Sequence, residues 1–363
     1  MAYNKQAWQT GDVVTAQKLN HIEDGISAAD SAPYNNIATY GGANLKDVFG
    51  TAANLHTAIA AGDFSKIHIG DYWPITLSGS YTDFAKYTVP SGTTYYSEAA
   101  LTTEVGATAA ALTGTYESAT AVKITISSVA YYVAIGDCTE GITQSLSNAV
   151  HKMEVAAINP YLRYGDTELT AQHVLFCSRD CMPNTGMYRK ANSVWTDTDA
   201  TNPWLGSALY KTLNDDDSTG YTGRGLIKLV KATDLGAYIF AGPQGKGMRA
   251  MLPRQASSAS SPSNWDWRNR GLLFLPTERE VYGAPAWGSA GGYEAGNLYN
   301  QWPIFRGSSR HIIKGSGDGG SRCIWWLETA YNTANFASVS DSGYANPYPA
   351  SYALRVPLCF LVT

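Results

Sequence analysis

Two groups of residues in this 363-residue chain could do chemistry, and they imply different kinds. The first is a scatter of thiols, imidazoles and carboxylates. Cys177-Ser-Arg-Asp-Cys181 is the one close thiol pair and His173 lies just upstream, but a zinc site needs further ligands at metal spacing. Buried, reduced thiols are the default reading, since five cysteines are an odd number for a disulfide framework in a long chain. Asp215-Asp216-Asp217 lacks the alternating ligands and bidentate Glu of an EF-hand and reads as a solvated acidic loop. Gly315–Gly320 (GSGDGG) lacks the Lys-Ser/Thr of a phosphate loop and any following helix pattern, which argues against nucleotide binding. His311, between Arg310 and Lys314, has Glu328 and Asp318 as possible partners, but no nucleophile, base and orienting group fall at recognisable spacing. Neither catalysis, nor a metal, nor a cofactor is expected.

The second group offers contact chemistry. From Thr329 to Thr363 there is no Lys, Glu, Gln, Met or Trp, while Tyr, Ser, Asn, Ala and Pro are dense. A frame starts at Trp325-Trp326-Leu327 and runs through Phe336, Val339, Gly343, Ala345, Ala350-Ser351, Val356 and Phe360. Polar and aromatic residues fill its gaps: Tyr331, Asn332, Ser338, Ser340, Asp341, Ser342, Tyr344, Asn346, Tyr348, Tyr352 and Leu354, with Pro347 and Pro349 among them. Tyrosine supplies a large, rigid, amphipathic contact at low entropy cost, and Ser and Asn supply adaptable hydrogen bonds, the mixture of antibody paratopes. These residues are the candidate ligand-binding face, with Trp325, Trp326, Phe336 and Phe360 assigned to the core by alternation.

The elements that must hold this face are read from composition and periodicity. With 44% hydrophobic and 15% charged residues the chain can bury a substantial core, and 35 glycines, 24 tyrosines and 10 tryptophans suit a loop-rich fold with few long helices. A net charge of -4 with no Lys/Arg-rich run excludes general attraction for nucleic acid. Met1–Asp12 does not resemble a signal peptide, and no apolar run is long enough to span a bilayer, so membrane insertion is not expected. Thr15–Ala29 reads as a short helix with Leu19, Ile22 and Ile26 at coiled-coil spacing, too short to stand without a partner. That partner is either the same helix in sister subunits or a neighbouring protein, and the pattern fits equally an amphipathic helix folded onto its own domain. A linker follows to residue 43, and the compact unit spans 44–363, opening on a helical pattern over Asn44–Gly62. Ile67–Leu77 is expected as a strand, and Tyr81–Val133 as short strands forming a β-rich insertion at about 80–135. Ser145–Ile158 reads as a helix stopped before Pro160, and Pro203–Leu213 as another. Gly271–Leu275 reads as a buried strand, and Thr277–Glu280 has the spacing of a capping box. The fold class is therefore α+β.

Three segments in order, HIGDYWPITL, HVLFCSRDCMP with NPWLGSALYKTLN, and LFLPTEREVYG followed by CIWWLETAYNTANFASV, resemble a prophage-encoded domain family. In it, a Leu-Pro-Ser-Glu-Arg-Glu-like segment precedes a Trp-Trp-Leu segment. The resemblance implies a C-type-lectin-like fold, similar to that of formylglycine-generating enzymes, over about Gly62–Thr363. The segment FASVSDSGYANPYPASYALRVPLCF resembles the variable region of diversity-generating retroelement target proteins, here about 316–355. Scrambled adenines of asparagine codons in such proteins cannot yield Lys, Glu, Gln, Met or Trp. AWQTGDVVTAQKLNHIEDGISAA resembles the start of tail-fibre and baseplate-associated proteins of phages of Gram-positive bacteria. The resemblances together imply a receptor-binding protein of a phage tail, made in the host cytoplasm and carried on the virion. It is expected to be a homotrimer joined to other tail proteins through its N-terminal segment, with a bacterial surface protein or polymer as ligand. The alternatives are an enzyme of the formylglycine-generating type, to which Cys323 and Cys359 near the apparent binding face lend support, and a non-binding structural tail protein.

Overall fold

A computed structural model describes residues 41–187, 203–215, 223–242, 245–253, 265–284, 287, 301–306, 311–317, 320–332 and 334–363. The expected N-terminal helix at Thr15–Ala29, most of the linker, Asp216, Asp217 and Asp318 lie outside these residues. Asn44–Gly62 forms two short helices, α1 (Leu45–Phe49) and α2 (Ala52–Ala60). Asn44 Oδ1 accepts from the Lys46 N–H at 3.1 Å and Thr51 Oγ1 from the Asn54 N–H at 3.2 Å, so each helix has a side-chain cap. Leu45, Leu55 and Ile59 are buried, whereas Val48 is exposed.

The main body is a nine-stranded sheet in the order β16-β8-β7-β1-β4-β5-β6-β2-β3. Its spine is the long antiparallel pair β1 (Tyr72–Val89) and β7 (Thr139–Ile158). Trp73, Ile75 and Leu77 alternate into the core from β1, as a half-buried strand requires. The register shifts between Leu77 and Gly79, where Gly79 takes φ +120° and a Cβ would approach Leu229 Cδ2 to 2.9 Å, so glycine is needed there.

The expected helix at Ser145–Ile158 is instead the second half of β7. Leu146, Val150, Val155 and Ile158 are spaced closely enough for a helical stripe. The competing signal is an alternation in which His151 and Met153 are buried while Val150 and Lys152 are not. Pairing with β1 on one side and with β8 (Val174–Ser178) on the other decides it.

Tyr81–Val133 is strand-rich as read. Beyond the end of β1 it contributes β2 (Thr94–Tyr96), β3 (Glu104–Ala107), β4 (Leu112–Tyr116), β5 (Ala121–Ile126) and β6 (Val129–Ala134). Tyr87, Val89, Tyr116, Val122, Ile124 and Val133 form a small core separate from the main one.

A five-stranded sheet carries the C-terminal segment in the order β14-β13-β12-β15-β9. Its strands are β9 (Met182–Gly186), β12 (Trp325–Ala330), β13 (Asn335–Val339), β14 (Ala345–Pro349) and β15 (Ala353–Val356). Hydrogen-bonded pairing is antiparallel except between β12 and β15. The chain passes between the two sheets twice, from β8 to β9 and from β15 to β16 (Cys359–Val362). A two-stranded pair, β10 (Arg249–Pro253) and β11 (Trp265–Asn269), completes the strands described.

Pro203–Leu213 supplies α3 (Ala208–Asn214), capped by Ser207 Oγ, and α4 (Ile227–Lys231) follows. Gly271–Leu275 is buried as expected but is joined only by isolated bridges, Gly247 to Gly271 and Phe274 to Cys359, rather than forming a strand. The capping box is present at α5 (Glu278–Tyr282), where Thr277 and Glu280 each accept from the other's backbone N–H. Glu280 also receives the fully buried Arg270 at 2.7 Å, and Arg270 reaches Glu328 of β12 at 2.6 Å. Burial pulls the Arg270 pKa down, but the two carboxylates outweigh it and hold the guanidinium charged. One buried ion network therefore ties the capping-box segment to the tryptophan strand. The arrangement is mixed α+β, and no helix among the described residues is long and apolar enough to cross a membrane.

Candidate functional site

Strand β12 is buried on both faces, which is why two consecutive tryptophans are both inside. Trp325 Nε1–H donates to Ile312 O at 3.0 Å and Trp326 Nε1–H to Thr185 O at 3.1 Å, so neither indole leaves a buried donor without a partner. Phe336, Val339, Val356 and Phe360 are buried with them. The aromatic and aliphatic members of the frame thus form the inner layer of the five-stranded sheet and part of β16, whereas Gly343 and Ala345 are half-buried and Ser351 is exposed.

The hairpin built on that layer carries the gap residues. Strands β13 and β14 pair in register and turn through Ser340–Tyr344, where Ser340 N–H donates to Tyr344 O at 2.8 Å and Gly343 N–H to Ser340 O at 3.0 Å. Gly343 has φ +87°, a conformation that explains its place in the frame. Ser340 Oγ accepts from the Ser342 and Tyr344 N–H groups, and Ser342 Oγ donates to Asp341 Oδ1, so these side chains shape the turn as well as line it. Asn332 Oδ1 likewise accepts from the Ala334 and Asn335 N–H groups, fixing the tighter turn before β13.

The large exposed side chains of the face are tyrosines. Tyr344 is 74% exposed and Tyr352 54%. Tyr348, half-buried against the core, meets Tyr352 edge to face at 5.7 Å. Asn346 and Tyr331 are half-buried, Asp341 and Ser342 exposed. Two residues of the expected set face inward: Ser338 is fully buried with its Oγ donating to Asn346 O at 2.7 Å, and Leu354 is 7% exposed. Both occupy buried positions of their strands and belong to the support of the face. Between Tyr331 and Leu354 the one charged residue is Asp341, so the surface is close to neutral.

Trp287 joins the face from outside the C-terminal segment. It is 39% exposed, packs edge to face on Tyr331 at 5.5 Å, and donates its Nε1–H to Ala345 O at 3.0 Å. Its backbone N–H rests on both oxygens of the buried Glu278 at 3.0 Å. Tyr282 of α5 donates to Gly343 O at 3.1 Å, and burial followed by the nearby Glu278 pushes its phenol pKa up, which keeps that donor proton in place. Helix α5 and Trp287 therefore buttress the hairpin. The available sequence signal for Trp287 is a lone indole in a run of Gly and Ala that fits neither helical nor strand periodicity.

The outer edge of the sheet is poor in donors for strand addition. The carbonyls of Tyr344 and Asn346 face β13, as their bonds from Ser340 N–H and Ser338 Oγ require. By alternation, residues 345, 347 and 349 turn their backbone groups outward. Two of these are Pro347 and Pro349, which have no N–H to offer a docking strand. Contacts on this face come mainly from side chains.

The titratable residues singled out in the sequence are used internally. His311 is buried and pairs with Glu154 at 3.2 Å, while Glu328 serves Arg270. Burial pushes the Glu154 carboxyl up, but the His311 bond and the charges of His311, Arg179 and Lys314 outweigh it and lower its pKa. Asp215, expected in a solvated acidic loop, is buried and accepts from the Arg224 N–H at 2.5 Å. His173 is engaged by Ala171 O and the Tyr161 N–H rather than by the thiols. Among the described residues, no three His, Cys, Asp or Glu side chains are grouped to hold a metal ion. Cys323 and Cys359 are buried at 8% and 0% exposure, not displayed on the tyrosine-bearing face. No protein-family model, curated protein or solved structure matches this chain.

Proposed function

We propose that this protein is a receptor-binding component of a phage tail whose C-terminal domain has a C-type-lectin-like fold and displays a diversifiable face for a bacterial surface protein or polymer. The observation that carries the reading is the division of the C-terminal segment: Trp325, Trp326, Phe336, Val339, Val356 and Phe360 are buried, while Tyr344 and Tyr352 stand out in solvent on the hairpin and strands they support. A permissive surface on a fixed scaffold is what a diversity-generating retroelement would act upon, and the residue types missing from Thr329–Thr363 agree with adenine-directed scrambling. The role is binding without catalysis, metal or cofactor. The N-terminal segment joins the protein to other tail proteins, as a homotrimer on the virion.

Replacing Tyr344 and Tyr352 together by Ala tests the face directly. Exposed aromatic anchors contribute about 2 kcal/mol each when they are hot spots, so labelled protein should bind host cells at least ~30-fold more weakly. Its Tm should stay near that of the wild type, because neither side chain is buried. Undiminished adsorption of the double variant would remove the binding face from this segment. In the adjoining DNA, the same reading requires a near-copy of the codons for the tail, rich in AAC, beside a reverse-transcriptase gene.

A further inference from the structure

We propose that Cys177 and Cys359 form a cross-strand disulfide when the folded protein meets a small oxidant such as hydrogen peroxide. Both are free thiols, and they stand directly opposite each other on the antiparallel strands β8 and β16. The next pair along, Ser178 and Leu358, carries the hydrogen bonds: Ser178 N–H donates to Leu358 O at 2.8 Å and Leu358 N–H to Ser178 Oγ at 2.9 Å. The Cys359 carbonyl is turned the other way and accepts from the Phe274 N–H at 3.0 Å. Cys177 and Cys359 therefore occupy a non-hydrogen-bonded pair position, where opposed Cα atoms lie about 4.5 Å apart and side chains are closest. That separation lies at the short end of the ~4.4–6.8 Å range of disulfides.

The other neighbouring thiols do not share this geometry. Cys181 and Cys323 are in side-chain contact, but Cys181 N–H donates to Gly315 O and Cys323 N–H to Lys314 O. Each is held through Lys314-Gly315, and Cys323 Sγ also donates to both of those carbonyls at 3.4 Å, so the two are not directly opposed on paired strands as Cys177 and Cys359 are.

Lys314 favours a thiolate at this pair. Its ammonium is buried, donates to Ser178 O and lies close enough to Cys177 to attract a thiolate. Burial pushes the Cys177 thiol up, but the Cys359 contact and the Lys314 charge outweigh it and lower its pKa, while burial raises that of Cys359. The Cys177 thiolate attacks one peroxide oxygen and the O–O bond breaks. Sulfenic acid forms at Cys177, and the released hydroxide takes the thiol proton as water. The Cys359 sulfur then attacks the Cys177 sulfur and the S–O bond breaks, so hydroxide leaves and takes the Cys359 proton as a second water. Two thiols lose two electrons and two hydrogens, and one peroxide becomes two waters. Both thiols are buried, so a water-sized oxidant would have to enter by local opening of β16, the outermost strand of its sheet, whose far side is bridged among the described residues to Ile239 and Phe274. The bond would tie the strand that follows the tyrosine-bearing segment to the core strand β8.

The test uses the full-length chain, reduced, treated with hydrogen peroxide, then unfolded in excess N-ethylmaleimide and mapped by peptide mass spectrometry. Expected are a linked Cys177–Cys359 peptide pair, alkylated Cys138, Cys181 and Cys323, and a rise in Tm that dithiothreitol reverses. A Cys359→Ala variant, checked for its fold by circular dichroism, should show neither the link nor the rise. Alkylation of all five thiols after treatment, a Cys181–Cys323 link, or sulfinic acid at Cys177 without a link would each overturn the proposal.

Discussion

His173 is held neutral by the two bonds its ring makes. Nδ1 lies 2.9 Å from Ala171 O and so carries the proton, which leaves Nε2 to accept from the Tyr161 N–H at 3.2 Å. A second proton would have to sit on Nε2, facing a donor in a buried site. Burial lowers its pKa to about 4 against a smaller raising effect of the Ala171 bond. The folded value thus lies below the unfolded one of about 6.5. Between these values the unfolded chain binds more protons, so stability is full above about pH 6.5 and falls as pH drops towards 4. The full effect is on the order of 3 kcal/mol. Urea melts of the wild type should lose stability over this window, whereas His173→Gln should be less stable near neutral pH but show a much flatter profile. An unchanged slope in the variant would place the titrating group elsewhere. In the sequence His173 is the one imidazole near Cys177 and Cys181, too few ligands for a zinc site, and its bonds to Ala171 and Tyr161 make it a satisfied core imidazole.

At the scale of elements, β14 is the test of how the face is meant to be used. Its outward positions 347 and 349 are prolines, so of the three outward residues Ala345 alone has an N–H to offer, and Ala345 O and Pro349 O are already taken by Trp287 Nε1–H and the Tyr352 N–H. Pro347→Val with Pro349→Val would restore two N–H donors to an exposed edge. The double variant should self-associate as concentration rises, measured by light scattering against the wild type. Identical elution of the two proteins at all concentrations would show that the prolines do not guard the edge. Much of this element could be read beforehand. The buried frame was legible because Trp, Phe and Val alternate with small and polar residues there, and the capping box because its chemistry is local. Ser338 has the residue type of the outward face, yet its neighbours Phe336, Ala337 and Val339 are all buried, because nothing in a single serine marks a strand enclosed on both faces. The second half of β7 was read as a helix because short apolar spacings fit either period, and its strand state comes from β1 and β8, remote in sequence. Trp287 was invisible for the same reason, since its partners Tyr331 and Ala345 come from a distant segment.

For the whole molecule, the extension formed by β2–β6 stands apart in its packing. Its residues pack with Tyr87 and Val89 of β1 into a core of their own, while the main core gathers Trp73, Phe176, Trp325 and Trp326 without them. The two ends of the extension also meet, because Thr88 near the end of β1 is paired with Thr139 at the start of β7. Replacing Val89–Cys138 by Asn-Gly would close β1 and β7 into a plain hairpin with a two-residue turn of favoured hand. Tyr87 would lose its cover, at a cost of about 2 kcal/mol. The shortened protein should still unfold in one cooperative transition and keep the near-ultraviolet dichroism of its buried tryptophans. It should also bind host cells as the full chain does, because no residue of the tyrosine-bearing face lies in the excised stretch. Loss of the cooperative transition would mean that the nine strands fold as one unit. A folded variant that no longer bound cells would instead move part of the recognition surface into the extension, where Val105 and Val129 are exposed.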